Sequence, residues 1–178
     1  MGVPGGFDEG RRPVGPARAP AGGAEGSAAA RDVIGPLTRD RVAQALTQLG
    51  YPLFRDAAGD LGAMWAQAVF HVYLLGTDES VLQVRGTWHR RLAIERLGEV
   101  LEMIDRWNRE FIGPKTYVRV LDDGFLSVVA ETSTPLTSGV SDRQLARFLE
   151  RGVGQGMRVM RDLEATYPDP AARPPEER

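Results

Sequence analysis

A chain of 178 residues, 42% hydrophobic and 26% charged, has the length and balance of one globular domain with room for tails. A formal net charge of −2 and the absence of cysteine exclude a strong basic field for nucleic acid or anionic membranes, a disulfide framework, a thiolate nucleophile and a cysteine metal centre. No apolar run reaches the roughly 18 to 20 residues that a membrane-crossing helix needs, and the N-terminal stretch has arginines without an apolar h-region, so the expected location is the cytoplasm.

Residues 1–35 are rich in Gly, Ala, Pro and Arg with almost no large apolar side chains, and residues 169–178 read DPAARPPEER. Neither segment can bury enough surface to offset the entropy of ordering, so both are expected to be disordered tails around a domain at 36–168. In that domain a first helix starts after the N-cap Thr38, presents Val42, Ala45, Leu46 and Leu49 on one face, and stops at Gly50. A short strand at 51–55 follows, and the Gly- and Asp-rich stretch 56–62 reads as a turn.

Residues 67–75 alternate at period two, with Ala68, Phe70, Val72 and Leu74 facing the core and Gln67, His71 and Tyr73 facing away. Residues 80–88 repeat the pattern, with Leu82, Val84, Gly86 and Trp88 inward and Gln83, Arg85 and Thr87 outward. A long helix is predicted at 92–111, with Leu97, Val100, Leu101, Ile104, Trp107, Asn108 and Phe111 at helical spacing. Strands at 117–121 and 125–133 flank Asp122-Asp123-Gly124, a tight turn in which glycine supplies the positive φ. Ser141 and Gln144 form a capping box that opens the last helix, whose apolar face is Leu145, Phe148, Leu149, Val159, Met160 and Leu163. The order α-β-β-β-α-β-β-α with antiparallel hairpins predicts a single α+β domain around a five-stranded antiparallel sheet.

Several stretches, LQVRGTWHR at 82–90, Trp107-Asn108, PKTYVRV at 114–120, the DDG turn and VSDRQLARF at 140–148, stand in an order and spacing that resemble the YbjN family, the bacterial sensory transduction regulator domain. The resemblance covers 36–168. It implies a type III secretion chaperone-like fold, a regulatory or chaperone-like role, and pairing into a homodimer.

The motifs that could carry chemistry favour structural readings. His71 and His89 lie on different predicted strands with no acidic residue at metal-ligand spacing, so no metal site is expected. Asp122 and Asp123 are turn formers in one solvated environment, which cannot separate two pKa values for acid–base work. Gly152, Gly154 and Gly156 have only the superficial look of a dinucleotide loop, because they fall inside a helix rather than between strand and helix. Gly152 and Gly156 share a face, and close approach to the sheet explains them better. Ser133, Ser138 and Ser141 lack a histidine partner or a nucleophile elbow. No cofactor is expected.

What remains is a protein-interaction domain without catalysis. The outward parity of the strands puts His71, Tyr73, Gln83, Arg85, Thr87, Tyr117, Arg119, Ser127, Val129 and Glu131 on one sheet face, a mixture suited to meeting another protein. The candidate contacts are Arg85, Tyr117, Arg119 and Glu131, with Trp88 in a basic–aromatic edge beside Arg90 and Arg91. Arg119 and Glu131, on the two strands of one hairpin, are expected to pair. A nucleic-acid-associated regulator is the second reading, although Glu95, Glu99 and Glu102 dilute the arginine field. An enzyme is third and would need a pocket built on Lys115, Arg119 and Glu131.

Overall fold

Thr38 does cap the first helix: its hydroxyl accepts from the Arg41 backbone N–H at 3.3 Å, and α1 (Arg39–Gln48) buries Val42, Ala45 and Leu46. The computed structural model describes residues 32–168. After α1 come β1 (Leu53–Arg55), β2 (Leu61–Trp65), β3 (Ala68–Leu75), β4 (Val81–Trp88) and β5 (Leu92–Ala93). A 3-10 turn at Ile94–Arg96 leads into α2 (Leu97–Glu110), followed by β6 (Lys115–Val120), β7 (Phe125–Pro135) and α3 (Asp142–Thr166).

The α+β class holds, but the sheet has seven strands rather than five. All its pairs are antiparallel, in the order β1-β2-β3-β4-β7, with β5 and β6 also paired to β7. The first extra strand, β2, lies partly in the expected turn. Its Gly62 leaves the space that the Phe54 ring of β1 occupies, since a Cβ there would stand 2.3 Å from that ring. Glycine here serves close packing inside a strand rather than a turn. The second, β5, is two residues long and occupies the start of the predicted long helix. β4 and β5 both pair with β7, β4 against Val129–Pro135 and β5 against Phe125 and Leu126, with His89–Arg91 between them.

One face of this sheet is the core. Phe70, Val72, Leu82, Val84, Leu126 and Val128 are buried there against residues of all three helices. The Ser141–Gln144 capping box is present, and α3 lies close to the sheet because Gly152 and Gly156 carry no side chain. A Cβ on Gly152 would come within 2.8 Å of Val84, and one on Gly156 within 2.6 Å of the Phe70 ring. Gly154, between them, has open space around it.

α2 runs beside the sheet's edge. Asn108 donates from Nδ2 to the Thr116 carbonyl (2.8 Å) and accepts from the Thr116 N–H (3.0 Å), so it satisfies the outward backbone groups of edge strand β6. Asn108 thus stands in the helix's inward stripe as a polar clamp.

At the N-terminal side, Gly35 bridges to Val140, and the Asp32 carboxylate accepts from Ser141 Oγ at 2.7 Å. Asp32 and Gly35 therefore hold the chain against the start of α3. The tail expected before them, and the one expected at 169–178, lie outside the described residues.

Candidate interaction face of the sheet

The side of the sheet opposite the core is built by strand parity. Register places His71, Arg85, Glu131 and Lys115 in one row across β3, β4, β7 and β6. Val69, Thr87, Val129 and Tyr117 form the next row. Tyr73, Gln83 and Ser133 form another. The buried hydrophobic side chains of the three described helices all belong to the cluster on the opposite side.

Glu131 is the hub of this face. One of its carboxylate oxygens accepts from Arg85 Nε (3.1 Å) and from the Tyr117 hydroxyl (3.0 Å). Arg85 also donates to Gln83 Oε1 (2.7 Å), and Gln83 Nε2 donates to Ser133 Oγ (3.1 Å). The Arg85 guanidinium lies 5.0 Å over the Tyr73 ring, which stacks on His71 at 5.8 Å. Phe54 meets His71 edge-on at 5.6 Å. The result is a linked polar and aromatic surface whose members hold one another in place. Burial, and then the hydrogen bond to Glu131, push the Tyr117 phenol above its ordinary pKa; burial chiefly does the same for Tyr73.

Arg85, Tyr117 and Glu131 are thus brought together. Arg119 is not part of the network: it is exposed and stands opposite Ser127, while Glu131 stands opposite Lys115. The expected Arg119–Glu131 pair is corrected by the turn, which sets Leu121 against Phe125 and so separates the two residues by four positions of register.

Trp88 does not lie on this surface. It is 2% exposed on the core side, and its Nε1–H donates to Glu164 at 2.6 Å. Arg90 donates to the same carboxylate and lies over the Trp88 ring, while Arg91 pairs with Asp123 at 2.8 Å. The basic–aromatic edge therefore has its acidic partners inside the chain. The signal was present in the sequence, since Trp88 has the inward parity of its strand.

The remaining chemistry is sparse. His71 Nε2 is 3.9 Å from Asp56, beyond hydrogen-bond distance, and His89 Nδ1 lies 2.8 Å from the Gln67 carbonyl oxygen. Among the described residues no group of three His, Asp or Glu side chains could hold a metal ion. An open cleft of about 320 Å³ brings Lys115 and Glu131 together with Arg151 and Gln155 but leaves Arg119 outside, so it does not unite the three residues on which an enzyme reading would build. No helix among the described residues is long and apolar enough to cross a membrane.

The family described as "YbjN: Putative bacterial sensory transduction regulator" matches residues 38–165, which is most of the chain and all of the three described helices except Thr166. The chain belongs to the YbjN family. Among solved structures it is similar to one described as "YbjN, a putative transcription regulator from E. coli", with 17% identity, a TM-score of 0.66, and coverage of 75% of this chain and 96% of that one. At that identity the likeness establishes the YbjN fold. No curated protein matches the chain.

Proposed function

We propose that this YbjN-family chain is a non-enzymatic protein-interaction domain, chaperone-like or regulatory, that meets its partner through the open face of the sheet. The observation that supports this reading is the Arg85–Glu131–Tyr117 network on a face left free by the three described helices. Its arginine and tyrosine side chains are the types that anchor protein interfaces. Arg119 at the rim, exposed and without a salt bridge among the described residues, is placed to meet a partner carboxylate. Family resemblance is the support for a type III secretion chaperone-like domain acting in the cytoplasm as a homodimer, paired through α2 or a neighbouring strand.

The test is affinity purification from the native host with the intact chain as bait, followed by mass spectrometry and reconstitution of the recovered protein with purified bait. A pair that binds directly supports the reading. Steep salt-dependent binding to generic DNA with no protein partner would replace it with the nucleic-acid-associated reading. The described basic edge argues against that alternative, because Arg90 and Arg91 are already neutralised by Glu164 and Asp123.

A further inference from the structure

β7 outruns one of the strands that flank it. β4 accompanies it from Val129 to Pro135, but β6 begins at Lys115, opposite Glu131, and pairs only with the residues before that point. In an antiparallel ladder the N–H and C=O of one residue point to the same side, and the side alternates along the strand. The Phe125 carbonyl accepts from Leu121 on the β6 side, and the Leu136 N–H donates to Ser80 on the β4 side, both at 2.8 Å. Ser133, at even separation from Phe125 and odd separation from Leu136, therefore turns its N–H and C=O to the β6 side. Among the described residues no strand stands opposite it there. Pro135 is tolerated at the next such position because it has no N–H to leave unpaired.

The vacant place is the open cleft of about 320 Å³, between Thr132–Thr134 of β7, the segment leading into β6, and Arg151 and Gln155 of α3. Gly152 brings α3 to this edge, since a Cβ on it would stand 2.8 Å from Thr132 Oγ1. Of the charged residues that line the cleft, Glu131 is held by Arg85 and Tyr117. Lys115 and Arg151 are exposed and have no salt bridge among the described residues. The cleft thus sets a backbone donor and acceptor beside two unengaged cations. The first call for another peptide backbone, the second for an anion. A strand laid opposite Ser133 must stop at Lys115, which already fills the place opposite Glu131. Running in the direction of β6, it ends with its C-terminus at Lys115.

We propose that this cleft takes the C-terminal residues of a partner protein as a short added strand, whose backbone pairs with Ser133 and whose terminal carboxylate meets Lys115 and Arg151. Strand addition supplies the affinity and carboxylate capture the selectivity for a chain end. The proposal does not rest on the open-face reading, and Arg119, which belongs to that reading, lies outside the cleft.

Titration of the full ¹⁵N-labelled chain with the peptide acetyl-Thr-Val-Thr-Val tests it by NMR, through the Ser133 amide signal. The free acid should move that signal to saturation. The same peptide closed as a C-terminal amide should bind at least about tenfold more weakly. Lys115→Gln combined with Arg151→Gln, both at exposed positions, should cause the same loss for the free acid, and Arg119→Ala should cause none. A Ser133 signal that ignores the free acid at millimolar concentration would overturn the proposal, as would an equal response to the amide or an equal loss with Arg119→Ala. A response to acetate as strong as that to the peptide would leave an anion site without strand addition, and would overturn it too. So would a Ser133 signal that moves with protein concentration alone, which would make the edge a contact between copies.

Discussion

The ring of Phe70 occupies the place that a side chain on Gly156 would need: a Cβ there would stand 2.6 Å from it. Gly86 on the neighbouring strand makes room for the same ring from another side, at 2.5 Å. Helix and sheet therefore meet across one aromatic ring. Gly156→Leu should overpack this contact and cost roughly 1 to 3 kcal/mol in urea unfolding. Gly154→Ala, with open space around it, should instead stabilise by up to about 1 kcal/mol through helix propensity. Equal effects at the two positions would refute this packing.

Much of this arrangement is legible in the sequence because its signals are periodic. Ala68, Phe70, Val72 and Leu74 alternate, Ser141 and Gln144 stand at capping-box spacing, and Gly124 has the φ of +78° that its tight turn demands. β2 was hidden because Gly62 carries a turn signal locally, while its purpose is to admit Phe54 from another strand. β5 was hidden by its length of two residues, and by Ile94 standing three residues before Leu97 and seven before Leu101, at helical spacing, while the helix proper begins at Leu97 with no side-chain cap. Of the candidate contacts, parity gave the face of Arg85, Tyr117 and Glu131. Their shared hydrogen bonds depend on cross-strand register, which residue types alone do not specify.

Trp88 should behave as a core residue. Glu164→Leu leaves the buried Trp88 N–H unpaired and Arg90 without its carboxylate, so it should cost roughly 1 to 3 kcal/mol in thermal or urea unfolding. An unchanged melting temperature would mean that Trp88 finds another partner.

Tyrosine titration gives the chain a defined alkaline limit. Tyr51, Tyr73, Tyr117 and Tyr167 all have phenol pKa values raised above 10.0, each chiefly by burial. The folded state therefore holds these protons where the unfolded chain releases them. Their contribution is fully present below the unfolded pKa and is lost as pH rises through the folded values. Stability followed by urea unfolding should fall above about pH 10. In an ultraviolet titration, Glu131→Gln should lower the Tyr117 pKa while burial keeps it above the ordinary value.

Homodimerisation is tested by sedimentation at micromolar concentration. The exposed Leu101 and half-buried Met103 of α2 offer apolar surface for pairing. A dimer is expected, and a clean monomer of 19.4 kDa would refute it.

The most direct measurement of the central claim is the affinity of the Tyr117→Ala/Arg119→Ala double variant for the reconstituted partner. Arg119 is exposed and Tyr117 is half-buried outside the core cluster, so the variant should remain folded by circular dichroism. An interface on this face predicts that binding weakens by at least about tenfold, or roughly 1.4 kcal/mol. Unchanged affinity of the folded variant would contradict the account and move the interaction away from the open face of the sheet.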